Sequence, residues 1–281
     1  MEIALALVAA ALFALGSVLQ QKAGLESPEE EGAGSAGLLL RMARKPVWLM
    51  GIAADALGFV FQVVALAIGR LAVVQPILVS SVVFALPMGA RLTGQRVTRL
   101  DVAAAVLVTA GLVVFLVVAD PTGGREDAPL REWLITGAVA AAVVVPLVLA
   151  ARGRRPTTRA AMLGIATGIL FSLSAALTIP TTDALDEGLL EPLKDWHLYA
   201  LIAVGYASMT LNQMALSTGA LAPAVATSMA FDPITSVVLG TTLLQETLHE
   251  SGFAVIATLS ALGAAIAGLI VLSRSTPLAQ A

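Results

Sequence analysis

"QVVALAIGRLA" (residues 62–72) and "NQMALSTGALA" (residues 212–222) decide the fold, because they repeat one pattern 150 positions apart. The two stretches share Ala, Leu, Gly, Leu and Ala at the same relative positions. A second match, 158 positions apart, aligns "FALGS" (13–17) with "FSLSA" (171–175). These matches predict that the two halves of the chain are built alike.

The composition is that of a polytopic membrane protein. Of 281 residues, 58% are hydrophobic and only 12% are charged, and the mean hydropathy is +0.91. That leaves too little polar surface for a soluble globule. The chain has no cysteine, which excludes disulfides, thiolate metal sites and cysteine nucleophiles.

Nine stretches are long and apolar enough to cross a bilayer as helices, which takes roughly 20 residues each. We predict spans at Ile3–Lys22, Val47–Gly69, Leu71–Thr93, Val102–Ala119, Trp133–Ala151, Ala160–Thr182, Leu198–Thr218, Leu221–Gln245 and Phe253–Leu272.

The repeat pairs spans 1 to 4 with spans 6 to 9, an offset of five. Because five is odd, the halves run in opposite directions, as in the inverted repeats of secondary transporters. We therefore expect an all-α integral membrane fold in one domain. Residues 1–120 form the first repeat, 121–158 contain span 5 as connector, and 159–281 form the second repeat.

The charges predict an orientation. All but four of the 16 Lys and Arg residues fall on one side of the nine spans, which by the positive-inside rule is the cytoplasm. This places the N-terminus outside and the C-terminus inside the cytoplasmic membrane. Most acids, among them Glu132 and Glu246, fall on the outer side, where they either concentrate cations or are simply tolerated.

Two carboxylates lie within the predicted spans, Asp55 in span 2 and Asp232 in span 8. A charge in hydrocarbon is costly, and neither residue has a Lys or Arg in its own span. Each is therefore either a site for a proton, metal ion or cationic solute, or a neutral acid hydrogen-bonded to the backbone. Asp55 could also reach cytoplasmic water. Pro233 lacks an N–H and frees the carbonyl of Met229 beside Asp232.

Further polar residues accompany these carboxylates. Small or polar residues form one stripe on span 2 (Asp55, Gly58, Gln62, Ala65, Gly69) and one on span 7 (Gly205, Ser208, Asn212, Ala215, Gly219), typical of helix contacts or a cavity wall. Gln62 and Asn212 are either hydrogen-bonding glue between helices or part of the site. The candidate binding residues are Asp55, Gln62, Gln75, Ser80, Asn212, Gln213 and Asp232; the candidate hinges are Pro76, Pro180 and Pro233; Asp55 and Asp232 are candidate metal ligands.

The usual signatures of enzymes are missing from the sequence. His197 and His249 are predicted in loops without metal-binding spacing, and GxSxG, P-loop and GxGxxG patterns do not occur. Basic residues are spread over loops beside the spans, which gives no nucleic-acid surface. We expect neither catalysis nor a cofactor.

The stretch "ALSTGALAPAVATSMAFDPITSVVLGTTLLQE" (215–246) resembles the repeat of the drug/metabolite transporter superfamily, of EamA type, with Ala-Leu, a mid-helix Pro233 and a closing Glu246. In the first half, Val83 and Arg96 replace the Pro and the acid. "GSVLQQKAGL" (16–25) and "WLMGIAADALGFVFQVVALAIGRLAVVQPI" (48–77) look most like the NIPA-like branch, whose members are linked to magnesium transport. That resemblance rests on Gln62 and Pro76, whereas Phe59 stands where an acid is expected.

These patterns and the resemblance together predict a bacterial secondary transporter that moves a small solute, with protons as the coupling ion. Transport of Mg²⁺, bound through carboxylates and amides with part of its water shell, is the alternative. A helical membrane scaffold without transport is a third hypothesis. The oligomeric state is left open.

Overall fold

The structure is a computed structural model that describes residues 1–25, 45–92, 94, 98–188, 190–216, 218, 221–248, 260, 261, 263, 264, 267, 268, 270 and 271. Its long elements are all helices. They are α1 (Glu2–Leu25), α2 (Pro46–Ile68), α3 (Leu71–Leu78), α4 (Ser81–Leu92), α5 (Arg99–Ala119), α6 (Leu130–Ala150), α7 (Pro156–Glu187), α8 (Trp196–Leu216) and α9 (Leu221–Thr242). A short 3-10 helix (Glu191–Lys194) precedes α8, and strands β1 (Thr122–Gly123) and β2 (Glu246–Thr247) pair antiparallel.

Six stretches within the described residues are long and apolar enough to span a membrane, namely α1, α2, α3 with α4, α5, α6 and α7. The prediction of an all-α membrane protein is confirmed. Predicted span 9 lies mostly outside the described residues. Its Gly268 has a Cα so close to α5 that a Cβ there would lie 2.8 Å from the carbonyl oxygen of Ala104.

Several predicted boundaries are wrong. The eighth span ends at Thr242 and not at Gln245, because Gln245 takes a left-handed backbone conformation (φ 55°) that no helix continues. The sixth span is longer than predicted and reaches from Pro156 to Glu187. His197, predicted in a loop, lies in the first turn of α8 and is buried against Trp196 and Trp133.

The third predicted span is broken into two helices. Helix α3 ends at Leu78, a turn covers Val79 and Ser80, and α4 begins at Ser81. Pro76 lies two residues before that end and removes the N–H that would bond to Ala72. By contrast, Pro180 and Pro233 lie inside helices that continue past them. Of the three predicted hinges, Pro76 alone coincides with a break in the described helices.

Two helix pairs pack at glycine. Helix α1 lies against α2, where a Cβ on Gly16 would come 2.9 Å from the carbonyl oxygen of Gly51. Helix α7 lies against α9, where a Cβ on Gly164 would come 2.4 Å from the carbonyl oxygen of Ala224. In lipid such small residues let two backbones approach each other and gain dispersion contacts and hydrogen bonds.

The largest apolar cluster joins the two halves of the chain. From the first half it includes Leu71, Val73, Val74 and Ile77 of α3, all buried. From the second half it includes residues of α7 and the end of α9, among them Leu173, Leu177, Leu239 and Leu243. Helix α3 is therefore a half-span embedded in the other half of the molecule, whereas α6 leaves Leu134, Val139 and Val145 exposed.

The first prediction concerns the α7–α9 contact. In Gly168→Ala, the added Cβ would lie 2.6 Å from the carbonyl oxygen of Ser228 and 2.9 Å from the amide nitrogen of Asp232, both backbone atoms that cannot turn aside. We expect a loss of about 1–3 kcal/mol of stability, measured by thermal unfolding in detergent. Gly137→Ala on α6 is the matched control, because its Cβ has no neighbour within 4 Å. Equal unfolding temperatures for both variants would contradict the close packing.

Candidate intramembrane carboxylate site

Asp232 lies in the α7–α9 contact and is bound by two serines. The Ser172 hydroxyl on α7 is 2.7 Å from Asp232 Oδ1 and 2.6 Å from the Asp232 carbonyl oxygen. The Ser236 hydroxyl, one turn along α9, is 3.0 Å from Ser172 Oγ and 3.4 Å from Asp232 Oδ1. Both serines are fully buried, so the three side chains form one cluster between the helices.

The number of hydrogens in this cluster matters. Ser172 has one hydroxyl hydrogen but three acceptors in reach, the two Asp232 oxygens and the Gly168 carbonyl oxygen at 3.2 Å, and it can donate to only one of them at a time. If Ser172 donates to the Asp232 carbonyl oxygen, its contact with Oδ1 is a hydrogen bond only when Asp232 is protonated and donates to Ser172. Ser236 then donates to the remaining lone pair of Ser172. The two hydroxyls have fewer hydrogens than these contacts need, and protonation of Asp232 supplies one more.

Asp55 has a different kind of partner. Its Oδ2 accepts a hydrogen bond of 2.5 Å from the Gln20 amide on α1. Its Oδ1 lies over Gly16, where a Cβ would come within 1.9 Å of it. A primary amide nitrogen donates and does not accept, so Asp55 is the acceptor in this pair. The two carboxylates therefore lie in similar glycine contacts but with donors of different chemistry.

The other predicted site residues are distributed along these helices. Gln62 and Asn212 are half-buried, Gln75 is buried within α3, and Ser80 lies at the break after α3, where its Oγ is buried with no hydrogen-bond partner. The side chain of Gln213 and the whole of His249 and Arg96 lie outside the described residues. Of the two stripes, Gly58, Ala65, Ser208 and Ala215 are buried.

The structure does not gather the two predicted metal ligands into one cluster. Asp55 bonds to Gln20 on the α1–α2 pair, whereas Asp232 bonds to serines on the α7–α9 pair. Across the described residues, no group of three or more His, Asp or Glu side chains is arranged to hold a metal ion. Neither Asp55 nor Asp232 forms an ion pair with a described Lys or Arg.

Ser172, Ser236 and Gln20 are the partners that the sequence reasoning missed as site residues. Two signals point to them in hindsight. "GIATG" (164–168) is a GxxxG pattern, which indicates that α7 meets another helix closely on that side. Ser172 continues the same face one turn beyond Gly168, and Ser236 follows Asp232 by one turn.

A second polar network lies at the end of the bundle that carries Glu2, Arg70, Glu132 and Glu246, called here the Glu246 face. Buried Glu246 accepts hydrogen bonds from the backbone amides of Leu71 (2.7 Å) and Ala72 (3.0 Å). These amides begin α3, and its N-cap residue Arg70 makes no side-chain cap. A carboxylate on such free amides also interacts favourably with the helix dipole.

Arg125 ties the same face together from the loop before α6. Its backbone N–H donates to the Leu244 carbonyl oxygen (2.7 Å), and its guanidinium donates to the Leu243 carbonyl oxygen. The guanidinium also pairs with Glu132. Strand β1 pairs with β2, so that Gly123 faces Glu246. The loops that follow α5 and α9 are therefore joined by side-chain and main-chain bonds.

The second prediction is a pH dependence of stability. Burial raises the pKa of Glu246 above its ordinary value of 4.5, with a further rise from Glu2; the amides of Ala72 and Leu71 and the charge of Arg70 oppose it. A raised pKa in the folded state adds stability below pH 4.5 that is lost as the pH rises through that pKa. We expect Glu246→Gln to lack this contribution.

The measurement is the unfolding temperature of wild type and Glu246→Gln from below pH 4.5 to neutrality. The difference in unfolding temperature between wild type and Glu246→Gln should become smaller as the pH rises. Glu126→Gln, at an exposed position of the same face, is the control and should follow the wild type at every pH. A constant difference between wild type and Glu246→Gln would refute the expectation.

Comparison with known proteins adds one relative. No family model and no solved structure matches the chain. The uncharacterized protein Cgl0250/cg0304 of Corynebacterium glutamicum is 30% identical over 272 residues, which cover 96% of this chain and 94% of the relative. The likeness extends over nearly the full length of both chains. The chain therefore belongs to the same family of proteins as Cgl0250/cg0304 of Corynebacterium glutamicum.

Proposed function

We propose that this protein is a secondary transporter that moves a small solute across the cytoplasmic membrane in exchange for protons. The observation that carries the proposal is the Asp232 cluster. A carboxyl group lies in α9, a helix that the sequence predicts to span the membrane. It has two buried hydroxyl partners and no cationic partner among the described residues. Ionisable groups kept within membrane spans at such cost are typical of proton and ion pathways.

The cluster supplies a mechanism for proton coupling. In the hydrogen count above, Asp232 donates to Ser172 when protonated. After losing its proton, the carboxylate can accept from Ser172 and Ser236, since both hydroxyls can turn and donate to it. The same side chains thus serve both states without moving the helices. A cationic or hydrogen-bonding solute can then replace the proton as partner of the carboxylate.

Three further observations support a transporter. Span 3 is broken near Pro76, and interrupted helices surround the binding sites of many secondary transporters. The sequence repeat predicts that spans 1 to 4 pair with spans 6 to 9 in opposite directions. The α1–α2 and α7–α9 pairs each hold one carboxylate at a glycine contact. We propose the nine-span inverted repeat of the drug/metabolite transporters, with the Glu246 face outside and the C-terminus in the cytoplasm.

Magnesium is the second candidate substrate of the sequence reasoning, and the described geometry favours it less. Mg²⁺ needs several oxygen ligands in octahedral order. Asp55 and Asp232 bond to partners on different helix pairs, and each is engaged with its own hydrogen-bond donor. Mg²⁺ is therefore the competing outcome in the flux experiment.

The third prediction tests the function. Purified protein in liposomes, with a pH-sensitive dye inside and an imposed pH gradient, is given amino acids, small amines or Mg²⁺ in turn. We expect at least one organic solute to move protons. Asp232→Asn should reduce that flux on the order of tenfold or more, since an amide cannot carry the coupling proton.

The matched control is Asp120→Asn, the same change at an exposed residue that ends α5 in a left-handed conformation that Asn also accepts. It should transport like the wild type. Retained folding of Asp232→Asn is checked by its elution as a single species in detergent. Wild-type flux in Asp232→Asn would overturn the proton-coupling role, and Mg²⁺ entry lost in Asp55→Asn or Asp232→Asn would establish the magnesium alternative. If no solute moves protons and no Mg²⁺ enters, the hypothesis of a membrane scaffold remains.

A further inference from the structure

Glu246 holds two distant parts of the chain together through backbone atoms only. Its two carboxylate oxygens bond to the amides of Leu71 and Ala72, and the residue is only 5% exposed. Gly240 is needed beneath it, because a Cβ there would come within 2.3 Å of Glu246 Oε2. A charged group with two amide donors makes stronger hydrogen bonds than a neutral one.

The helix that Glu246 holds is short and ends at a break. Helix α3 has eight residues, about 12 Å in length, and the turn at Val79 and Ser80 separates it from α4. Short helices that meet a longer one at a break can tilt as units, since a few residues at the break absorb the change in backbone angles. The first turn of α3 is therefore bound by Glu246, and its last residue adjoins the turn at Val79 and Ser80, about which it can tilt.

The surroundings of Glu246 belong to both halves of the molecule. Helix α3 packs its apolar residues on α7 and α9. Around the carboxylate, Arg70 donates to the Gly123 carbonyl oxygen and pairs with Glu2, while β1 pairs with the strand that carries Glu246. The groups that face Glu246 are thus Arg70 at the start of α3, Glu2 of α1, and the backbone of β1.

We propose that Glu246 is the latch of a gate on the Glu246 face: its bonds to Leu71 and Ala72 hold α3 shut against α7 and α9, and their release lets α3 tilt about Val79–Ser80. The use of this movement as a gate for solute rests on the transport function proposed above. The closed state is the one described here, with Val73 and Val74 of α3 buried.

The test measures opening directly. The chain has no cysteine, so Val74→Cys introduces a single thiol at a side chain with 0% exposure. A water-soluble maleimide is added to the protein in liposomes or detergent, and the labelling rate is measured alone and together with Glu246→Gln or Glu246→Ala. The Gln side chain has one acceptor oxygen where Glu has two, and Ala has none.

We expect the labelling rate of Val74→Cys to be lowest with Glu246 intact, higher with Glu246→Gln and highest with Glu246→Ala. The total increase should be on the order of tenfold. Glu126→Ala, a loss of an exposed carboxylate on the same face, is the control and should leave the rate unchanged. If Glu246→Ala does not fold, the comparison of wild type with Glu246→Gln decides alone. Equal rates in wild type and the Glu246 variants would overturn the latch.

A second measurement links the latch to transport. Thr122 and Thr247 face each other in the β1–β2 pair, with their hydroxyl oxygens 2.9 Å apart. A disulfide in Thr122→Cys/Thr247→Cys fixes the loop that carries Glu246. Oxidation should stop flux, and reduction should restore it. The labelling assay needs no substrate, so it tests the latch independently of transport. If labelling rises in the expected order but no solute moves, the latch proposal stands and only the proposed transport function fails.

Discussion

Water is absent from the hydrocarbon core of a bilayer, so each polar group there needs a partner inside the protein. This constraint governs the details of the fold. In α7, the hydroxyls of Thr167, Thr178 and Thr181 donate to backbone carbonyls one turn earlier in the same helix. A carboxylate cannot be satisfied in this way, because it has no hydrogen to donate and its own helix has no free amide in mid-span. Its donors must be side chains, either on a neighbouring helix or, like Ser236 for Asp232, one turn away on its own helix.

Glycine makes those donors reachable. Gly16 lets Asp55 lie directly over α1, where Gln20 donates to it. Gly168 brings α7 onto the backbone of Asp232, where Ser172 donates or accepts. The same packing device leads to two chemical outcomes. An amide nitrogen can only donate, whereas hydroxyls donate or accept and suit a group that changes its protonation state. That difference is why the transport proposal rests on Asp232.

The same constraint, that each buried polar group needs a partner, applies to the Glu246 face at the end of the bundle. Helix α3 begins with amides that have no partner in their own helix, and its N-cap residue, Arg70, has no side-chain acceptor for them. The acceptor is Glu246, which belongs to the other half of the chain and lies 175 residues from Leu71 in sequence. Since α3 breaks after eight residues, its position depends on this contact and on its apolar packing. Without the Glu246 contact, the apolar packing of α3 would be the main restraint on its position.

Sequence alone determined the class of fold, and it predicts the depth at which the charges lie. Long apolar runs have one stable form in lipid, so hydropathy predicts the spans, and with them the placement of Asp55 and Asp232 inside the membrane. It misplaced the end of α9, because "LLQ" (243–245) is apolar enough to extend the helix while the backbone turns at Gln245. It named Pro76 as a hinge but predicted one continuous span there, since Val79 is as apolar as its neighbours.

Only the tertiary structure decided which partners the polar groups have. Ser172 and Ser236 are ordinary helix residues in the sequence, and their contact with Asp232 arises because α7 and α9 meet at Gly168. Glu246 looks like any other acid of the predicted outer loops, and its partners are main-chain amides that carry no sequence signal. Hydropathy is a property of single segments, whereas these contacts join residues tens to hundreds of positions apart, and helix packing alone brings them together.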